Sequence, residues 1–147
     1  MAESDTEKVP LILCIEDDED IQRIVKLAFR HLVDMTVAVC GDPRLALDMA
    51  HSLAPDLILL DYLMPHLNGE AVFRTLRADA RLAAIPVVFL TASVTGESAK
   101  MLRALGAEDV VFKPFNTQEL VEKVSAIIKV LPQRDASQKI SEGKGER

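Results

Sequence analysis

The sequence predicts an α/β domain in which five parallel strands form one doubly wound sheet with helices on both faces. Five short runs rich in valine, isoleucine and leucine recur along the chain, and each is continuous, as in strands buried on both faces of a parallel sheet. Segments with helical spacing separate them, and this alternation favours right-handed strand–helix–strand crossovers. The runs are Val9–Ile15, Met35–Cys40, Leu57–Leu60, Pro86–Leu90 and Val110–Phe112.

Five helices are predicted between and after these strands. Apolar residues recur at helical spacing from Ile21 to Leu32, with Ile24 and Val25 among them, and again from Leu45 to Leu53. A third helix is expected from about Gly69 to Ala78, and a fourth around Met101–Leu105. The fifth has the most regular apolar face, from Leu120 to Leu131.

Helix-capping residues agree with this assignment. Asp42 followed by Pro43 is typical of an N-cap with proline at the first helical position. Asn116 with Glu119 resembles a capping box, and Gly106 can end the fourth helix. A strand order of 2-1-3-4-5 suits five such units, although the pattern alone leaves the other doubly wound order open.

The length of 147 residues is that of one ordinary domain. We expect a flexible N-terminus over residues 1–8, a folded domain over 9–131 and a disordered tail over 132–147, because that tail has no apolar periodicity.

Charge and composition exclude some classes of function. A net charge of -6 argues against direct binding to DNA or RNA, which needs a basic face, and against docking on an anionic membrane. No apolar run approaches the roughly 20 residues of a membrane span, and the polar start of the chain is not a signal peptide. The two cysteines lie in apolar stretches, as buried thiols of a reducing compartment do. The expected location is the cytoplasm, without nucleic-acid or membrane contact.

Acidic side chains follow two strands that the expected order makes neighbours. Ligands of doubly wound sheets bind beyond the carboxyl ends of the strands, at the switch point between strands 1 and 3. Glu16 and Asp17 follow strand 1, and Asp61 follows strand 3. Three close carboxylates repel one another unless a divalent cation lies among them, and oxygen ligands suit Mg²⁺ or Mn²⁺. The further acids Asp18–Asp20 are interpreted as favourable charges at a helix N-terminus.

A hydroxyl and an ammonium are expected at the same edge of the sheet. Thr91 ends strand 4, and Lys113 follows strand 5. Each alone is more often a helix cap or a solvated charge. Together with a metal they can hold the equatorial oxygens of a transferring phosphoryl group, and a carboxylate is then a competent nucleophile.

These residues resemble the receiver domains of two-component response regulators, which have a CheY-like, flavodoxin-like fold. The resemblance covers about Val9 to Leu131. Four motifs in order, each at the end of its own strand, carry it: Glu16-Asp17, then Asp61 with Tyr62-Leu63-Met64-Pro65 and Gly69, then Thr91-Ala92, then Lys113-Pro114-Phe115.

The resemblance implies a role for each residue. Asp61 would accept a phosphoryl group from a phosphohistidine of a sensor kinase or phosphotransfer protein. Asp17 and Asp61 would bind Mg²⁺ through their side chains, the backbone carbonyl of Leu63 would be a third ligand, and Glu16 would act largely through a bound water.

Further roles concern the phosphoryl group and the loops around it. Thr91 would donate a hydrogen bond to a phosphoryl oxygen, and Lys113 would pair with the group. The positions that the resemblance assigns to loop shape are Met64, Pro65, Gly69 and Pro114.

Two positions depart from the pattern of the family. Val110 stands where receivers often carry an aromatic residue that swings inward on activation. The usual coupling between that aromatic and Thr91 is therefore not expected. Leu63 stands where many relatives have a polar residue, so it offers no side chain to orient a hydrolytic water.

Three other functions compete with a phosphorylation switch. A phosphatase of the haloacid-dehalogenase type needs an acid two residues after the nucleophile, where this chain has Leu63. A flavin-binding module needs a phosphate-cradling loop after strand 1, and the acids there would repel phosphate. A pseudo-receiver that acts by protein binding alone is the main alternative. We expect no enzyme, only self-directed phosphotransfer and dephosphorylation.

The expected output is a change of partner binding through helix 4, strand 5 and helix 5. Because only about 16 residues follow Leu131, we expect a stand-alone receiver that is a monomer or a phosphorylation-dependent dimer.

Overall fold

The computed structural model describes residues 9–92 and 96–130. Its five strands form one parallel sheet with the order β2-β1-β3-β4-β5, which confirms the expected topology. The strands are β1 Leu11–Ile15, β2 Thr36–Cys40, β3 Leu57–Asp61, β4 Val87–Thr91 and β5 Asp109–Phe112.

Within the described ranges, five α-helices and one short 3₁₀ helix connect or follow these strands. The predicted flexible N-terminus and tail, together with Leu131, lie outside the described residues and stay predictions. Among the described residues, no helix has the length and apolar character needed to cross a membrane. The helices are α1 Glu19–Leu32, α2 Ala46–Leu53, α3 Gly69–Ala78, α4 Gly96–Leu105 and α5 over residues 117–130, and the 3₁₀ helix is Pro43–Leu45.

The core has two layers, one on each face of the sheet. Helices α2, α3 and α4 pack on the face that carries Leu13 and Ile15, whereas α1 and α5 pack on the face that carries Ile12 and Cys14. All residues of β3 and β4 are buried. This two-sided burial explains why the strands are continuous apolar runs in the sequence.

The buried face of α1 differs from the predicted one. Val25, Ala28 and Phe29 are buried, but Ile24 is 42% exposed and Leu32 is 50% exposed. A helix turns by about 100° per residue, so Ile24 and Phe29 are about 140° apart and cannot share one narrow stripe. The large ring of Phe29 takes the inward position, and Ile24 is turned to the solvent.

The predicted caps are present, with one change at α2. The Asp42 side chain accepts a hydrogen bond in front of the 3₁₀ helix, so this cap starts that short turn and α2 follows it. Asn116 Oδ1 accepts a hydrogen bond from the Glu119 N–H at 3.0 Å, as a cap of α5 does. Gly106 ends α4 with a φ of 119°, a conformation that favours glycine.

Gly69 brings the start of α3 against the end of β3. Its N–H donates to the Tyr62 carbonyl at 2.7 Å. A Cβ atom at this position would lie 2.3 Å from the Asp61 carbonyl oxygen and 2.8 Å from the Tyr62 Cα. Both neighbours are backbone atoms, so any larger residue must displace either the helix or the strand end that carries Asp61.

Replacing Gly69 by alanine should therefore destabilise the domain strongly. We expect Gly69→Ala to lower the free energy of unfolding by about 2–3 kcal/mol, the cost of overpacking a tight contact, as measured by urea denaturation. The control is Gly41→Ala, where the nearest atom to a new Cβ is the Gln22 side-chain nitrogen at 3.2 Å. That flexible group can shift, so equal losses in the two variants would contradict this explanation.

Candidate phosphoryl-acceptor and metal site

Three carboxylates meet at the carboxyl edge of the sheet. β1 and β3 are neighbours, β3 ends at Asp61, and Glu16 and Asp17 directly follow β1. One oxygen from each of Glu16, Asp17 and Asp61 lies within 4.8 Å of the others. The structure thus brings together the three acids that the strand order was expected to unite.

The cluster is closed on one side and open on the other. Glu16 is fully buried and Asp61 is 3% exposed, whereas Asp17 is exposed to solvent. An ion held in this cluster would therefore be accessible to water on the Asp17 side. Oxygen donors with an open, hydrated side fit Mg²⁺, which dehydrates reluctantly.

Lys113 links the two buried acids. Its Nζ lies 2.9 Å from Glu16 Oε1 and 3.1 Å from Asp61 Oδ1. The sequence predicted a lysine beside the phosphoryl group but not the ion pair with Glu16. With all groups ionised, three carboxylates and one ammonium leave a net charge that one divalent cation neutralises.

The pKa values in the cluster follow from burial and from this ion pair. Burial raises the pKa of Glu16, the hydrogen bond from Lys113 opposes that rise, and the charge of Asp61 adds to it, with a net shift upward. Burial alone would lower the pKa of Lys113, but the hydrogen bond and charge of Glu16, with the charge of Asp61, outweigh it and raise the pKa.

The loop after β1 is held in place by its own hydrogen bonds. The Asp18 N–H donates to Glu16 Oε2 at 3.1 Å. The Asp18 carboxylate accepts from the N–H groups of Asp20 and Ile21 and is the N-cap of α1. Asp18 to Asp20 therefore start the helix, as predicted, and do not belong to the acidic cluster.

The loop after β3 has both a buried and an exposed part. The Leu63 N–H donates to Asp61 Oδ1 at 3.3 Å, while the Leu63 side chain is 61% exposed. Met64 is buried in the layer that contains α2, α3 and α4, and Pro65 is exposed. The burial of Met64 fixes the loop over the core. The metal-ligand role of the Leu63 carbonyl stays a prediction.

Thr91 and Lys113 lie at the ends of adjacent strands. The Lys113 N–H donates to the Thr91 carbonyl at 2.8 Å, and Thr91 is almost fully buried. The Tyr62 N–H donates to the Leu90 carbonyl, which joins the end of β4 to the residue after Asp61. The Lys113–Pro114 peptide bond is cis. Both predicted phosphoryl-binding side chains therefore share an edge with the acids.

The region around Val110 contains aromatic residues from other elements. Val110 is buried and pairs in register with Phe89 of β4. The Phe89 ring meets Tyr62 edge-on at 6.0 Å between centroids and Phe73 of α3 at 5.5 Å. Sequence reasoning missed these contacts because no local pattern distinguishes Phe89 and Phe73 from other core residues.

Comparison with known proteins agrees with this geometry. Residues 12–125 match the family described as response regulator receiver domain. The chain belongs to this family. The receiver is 38% identical over 115 residues to the DNA-binding response regulator MtrA of Mycolicibacterium smegmatis, a match that covers 78% of this chain and 49% of MtrA.

Two further similarities support the assignment. The response regulator ArlR of Staphylococcus epidermidis is 31% identical over 126 residues, with 84% of this chain and 55% of ArlR covered. The receiver domain of Francisella response regulator 1452 superimposes with a TM-score of 0.74 at 27% identity, covering 86% of this chain and 98% of that domain. The chain spans about half the length of the curated relatives that it matches.

The prediction that excluded nucleic acid is wrong for this family. MtrA is a DNA-binding response regulator, and its matched segment is about half of that protein. The net charge of a receiver describes only that domain. A basic DNA-binding face can lie in the half of MtrA that the match does not cover. An acidic receiver is therefore compatible with a DNA-binding regulator.

The buried Glu16 should give the receiver an unusual pH dependence when divalent metal is removed. Because its native pKa is raised above the ordinary value of 4.5, the native state keeps a proton that the unfolded chain releases. The contribution of Glu16 to the free energy of unfolding should thus be most favourable at low pH and fall as pH rises above 4.5.

Urea denaturation in a chelating buffer at several pH values measures this effect. The difference in the free energy of unfolding between wild type and Glu16→Gln isolates the contribution of Glu16. We expect wild type to lose stability relative to the variant as the pH rises towards neutral. A difference that is constant with pH, or that changes in the opposite direction, would count against the raised pKa.

Proposed function

We propose that this receiver is a phosphorylation-activated signalling switch in which Asp61 accepts a phosphoryl group with Mg²⁺ or Mn²⁺ as cofactor. One observation carries the proposal: the nearly buried carboxylate of Asp61 lies in one cluster with Glu16 and Asp17, and the Lys113 ammonium is 3.1 Å from it. The residues proposed as nucleophile, metal ligands and cation for the phosphoryl oxygens therefore lie in one cluster.

The chemistry proposed for Asp61 is attack on a phosphohistidine of a sensor kinase or phosphotransfer protein. A carboxylate oxygen forms the new O–P bond while the P–N bond breaks, and the histidine nitrogen keeps the electron pair. Lys113 and the Leu63 N–H both contact Asp61 Oδ1, which fixes the plane of the carboxylate for attack.

Each neighbouring residue has a distinct part in this proposal. Mg²⁺, when bound by Asp17 and Asp61, supplies charge neutralisation to the phosphoryl oxygens. Lys113 exchanges its contact with Asp61 Oδ1 for a contact with a phosphoryl oxygen, and the Thr91 hydroxyl at the end of β4 donates to another. These new contacts would favour a second arrangement of the ends of β4 and β5, as expected of a two-state switch.

We also propose that the receiver is not an enzyme acting on other substrates. Its chemistry would be limited to self-directed phosphotransfer and dephosphorylation. The exposed aliphatic side chain of Leu63 supports this proposal, because a phosphatase would need an acid–base group at that position. The DNA binding named for MtrA belongs to a protein about twice as long as the matched segment, and the present proposal is restricted to the receiver.

The phosphoacceptor can be tested with a small-molecule phosphodonor. Incubation with acetyl phosphate and Mg²⁺ should give one phosphoryl adduct by intact mass, and chelation of the metal should abolish it. Asp61→Asn should give no adduct, because an amide is not a competent nucleophile. Asp48→Asn, which changes an exposed acid on α2, should react like wild type. No adduct on wild type under any condition would instead support a pseudo-receiver.

Replacing Lys113 by methionine should slow phosphotransfer without weakening metal binding. Lys113→Met removes a positive charge from the cluster, so Mg²⁺ should bind at least as tightly as in wild type. The rate of adduct formation at saturating Mg²⁺ should fall by about 10²-fold, as when one preorganised donor is removed from a charged transition state. Intact-mass measurements on samples quenched at successive times give the rate. An unchanged rate would contradict the proposed role of Lys113.

A further inference from the structure

The side chain of Gln22 contacts the backbone of the acidic loop. Gln22 lies in the first turn of α1, where its own N–H donates to the Asp18 carbonyl at 3.0 Å. Its Nε2 donates to the Glu16 carbonyl at 2.6 Å. Neither the family motifs nor the mechanism above uses this residue.

The Glu16 carbonyl belongs to the peptide that joins Glu16 to Asp17. The orientation of this peptide sets the direction in which the Asp17 side chain leaves the backbone. On the other side of Glu16, its N–H donates to the Cys40 carbonyl at 3.0 Å. The loop is therefore fixed to β2 before Glu16 and to α1, through Gln22, after it.

The orientation of the Asp17 carboxylate depends on this loop more than that of the other two acids does. Glu16 and Asp61 are buried and bonded to Lys113, whereas Asp17 is exposed. Within the described part of the chain, no hydrogen bond to the Asp17 carboxylate holds it toward the cluster. The fixed peptide before Asp17 therefore restrains the direction in which this carboxylate points.

The Gln22 amide also lies beside Gly41, the residue that follows β2. A Cβ atom at Gly41 would lie 3.2 Å from Gln22 Nε2, which is tighter than ordinary contact. The amide thus lies between Gly41 and the Glu16 carbonyl. The absence of a side chain at Gly41 leaves space for the amide, and the hydrogen bond to the Glu16 carbonyl sets its position.

We propose that Gln22 is a positioning residue for the divalent-metal site, acting through the Glu16–Asp17 peptide on the Asp17 carboxylate. This inference rests on the proposed function, since it assigns a residue that orients a ligand of the same Mg²⁺. Groups that orient metal ligands typically change metal affinity about 10–100-fold when they are replaced. An amide that only satisfied a buried carbonyl would change stability but not metal affinity.

The test measures Mg²⁺ binding directly. Tyr62 adjoins Asp61, and the chain contains one tyrosine and no tryptophan, so tyrosine fluorescence titrated with MgCl₂ reports on the site. Gln22→Met keeps the length of the side chain but removes the N–H donor, and we expect the Kd for Mg²⁺ to rise by about tenfold. Gln118→Met, the same change at an exposed position of α5, should leave the Kd unchanged.

A second variant, Gln22→Asn, provides an independent test with a smaller change of the side chain. Gln22→Asn retains an amide that is one methylene too short for the 2.6 Å contact, and it should raise the Kd to a similar extent. Urea denaturation in a chelating buffer shows separately how far each variant is destabilised.

The outcomes distinguish this inference from the proposed function. If wild type binds Mg²⁺ and both Gln22 variants bind it with the wild-type Kd, the positioning role is overturned, whatever their stability. If wild type itself binds no Mg²⁺, the proposed metal-dependent function is overturned, and the inference falls with it. A higher Kd in both Gln22 variants, with Gln118→Met unchanged, supports the positioning role.

Discussion

The Lys113 ammonium between two buried carboxylates is the contact on which the site depends. Glu16 and Asp61 are almost without solvent contact, and two such acids close together would not both stay ionised without a cation. Lys113 comes from the end of β5, and the acids come from the ends of β1 and β3. Because the sheet is parallel, all three ends lie at one edge. The charge balance of the site therefore follows from the topology of the sheet.

Sequence alone predicted the fold and the acidic cluster because both depend on local signals and one topological rule. Continuous apolar runs identify strands that are buried on both faces, and the N-cap at Asn116 has its signature within four residues. Once five parallel strands are arranged in the order 2-1-3-4-5, which the pattern favoured but did not fix, the acids after β1 and β3 lie at neighbouring strand ends. Glu16, Asp17 and Asp61 could thus be placed together without knowledge of a single side-chain conformation.

The features that sequence reasoning missed depend on side-chain packing. The exposure of Ile24 follows from which of two apolar stripes of α1 faces the sheet, and periodicity does not decide that when Phe29 competes for the inward position. The contact of Gln22 with the Glu16 carbonyl joins residues on the same short segment, but polar residues in the first turn of a helix are usually solvated.

The charge argument against nucleic acid failed for a different reason. It applied the net charge of one domain to a family that includes longer proteins.

The packing around Val110 bears on how the phosphorylation proposed for Asp61 would be transmitted through the core. Val110 is buried against Phe89, and the Phe89 ring also contacts Tyr62 after β3 and Phe73 on α3. Phe89 and Thr91 are two residues apart on β4, so they point to the same face of the sheet. Under the proposed function, a movement of Thr91 toward a phosphoryl group would therefore displace Phe89 and its aromatic neighbours Tyr62 and Phe73. Because a closely packed interior absorbs little displacement locally, such a movement would reach Val110 through Phe89 even though position 110 holds no aromatic residue.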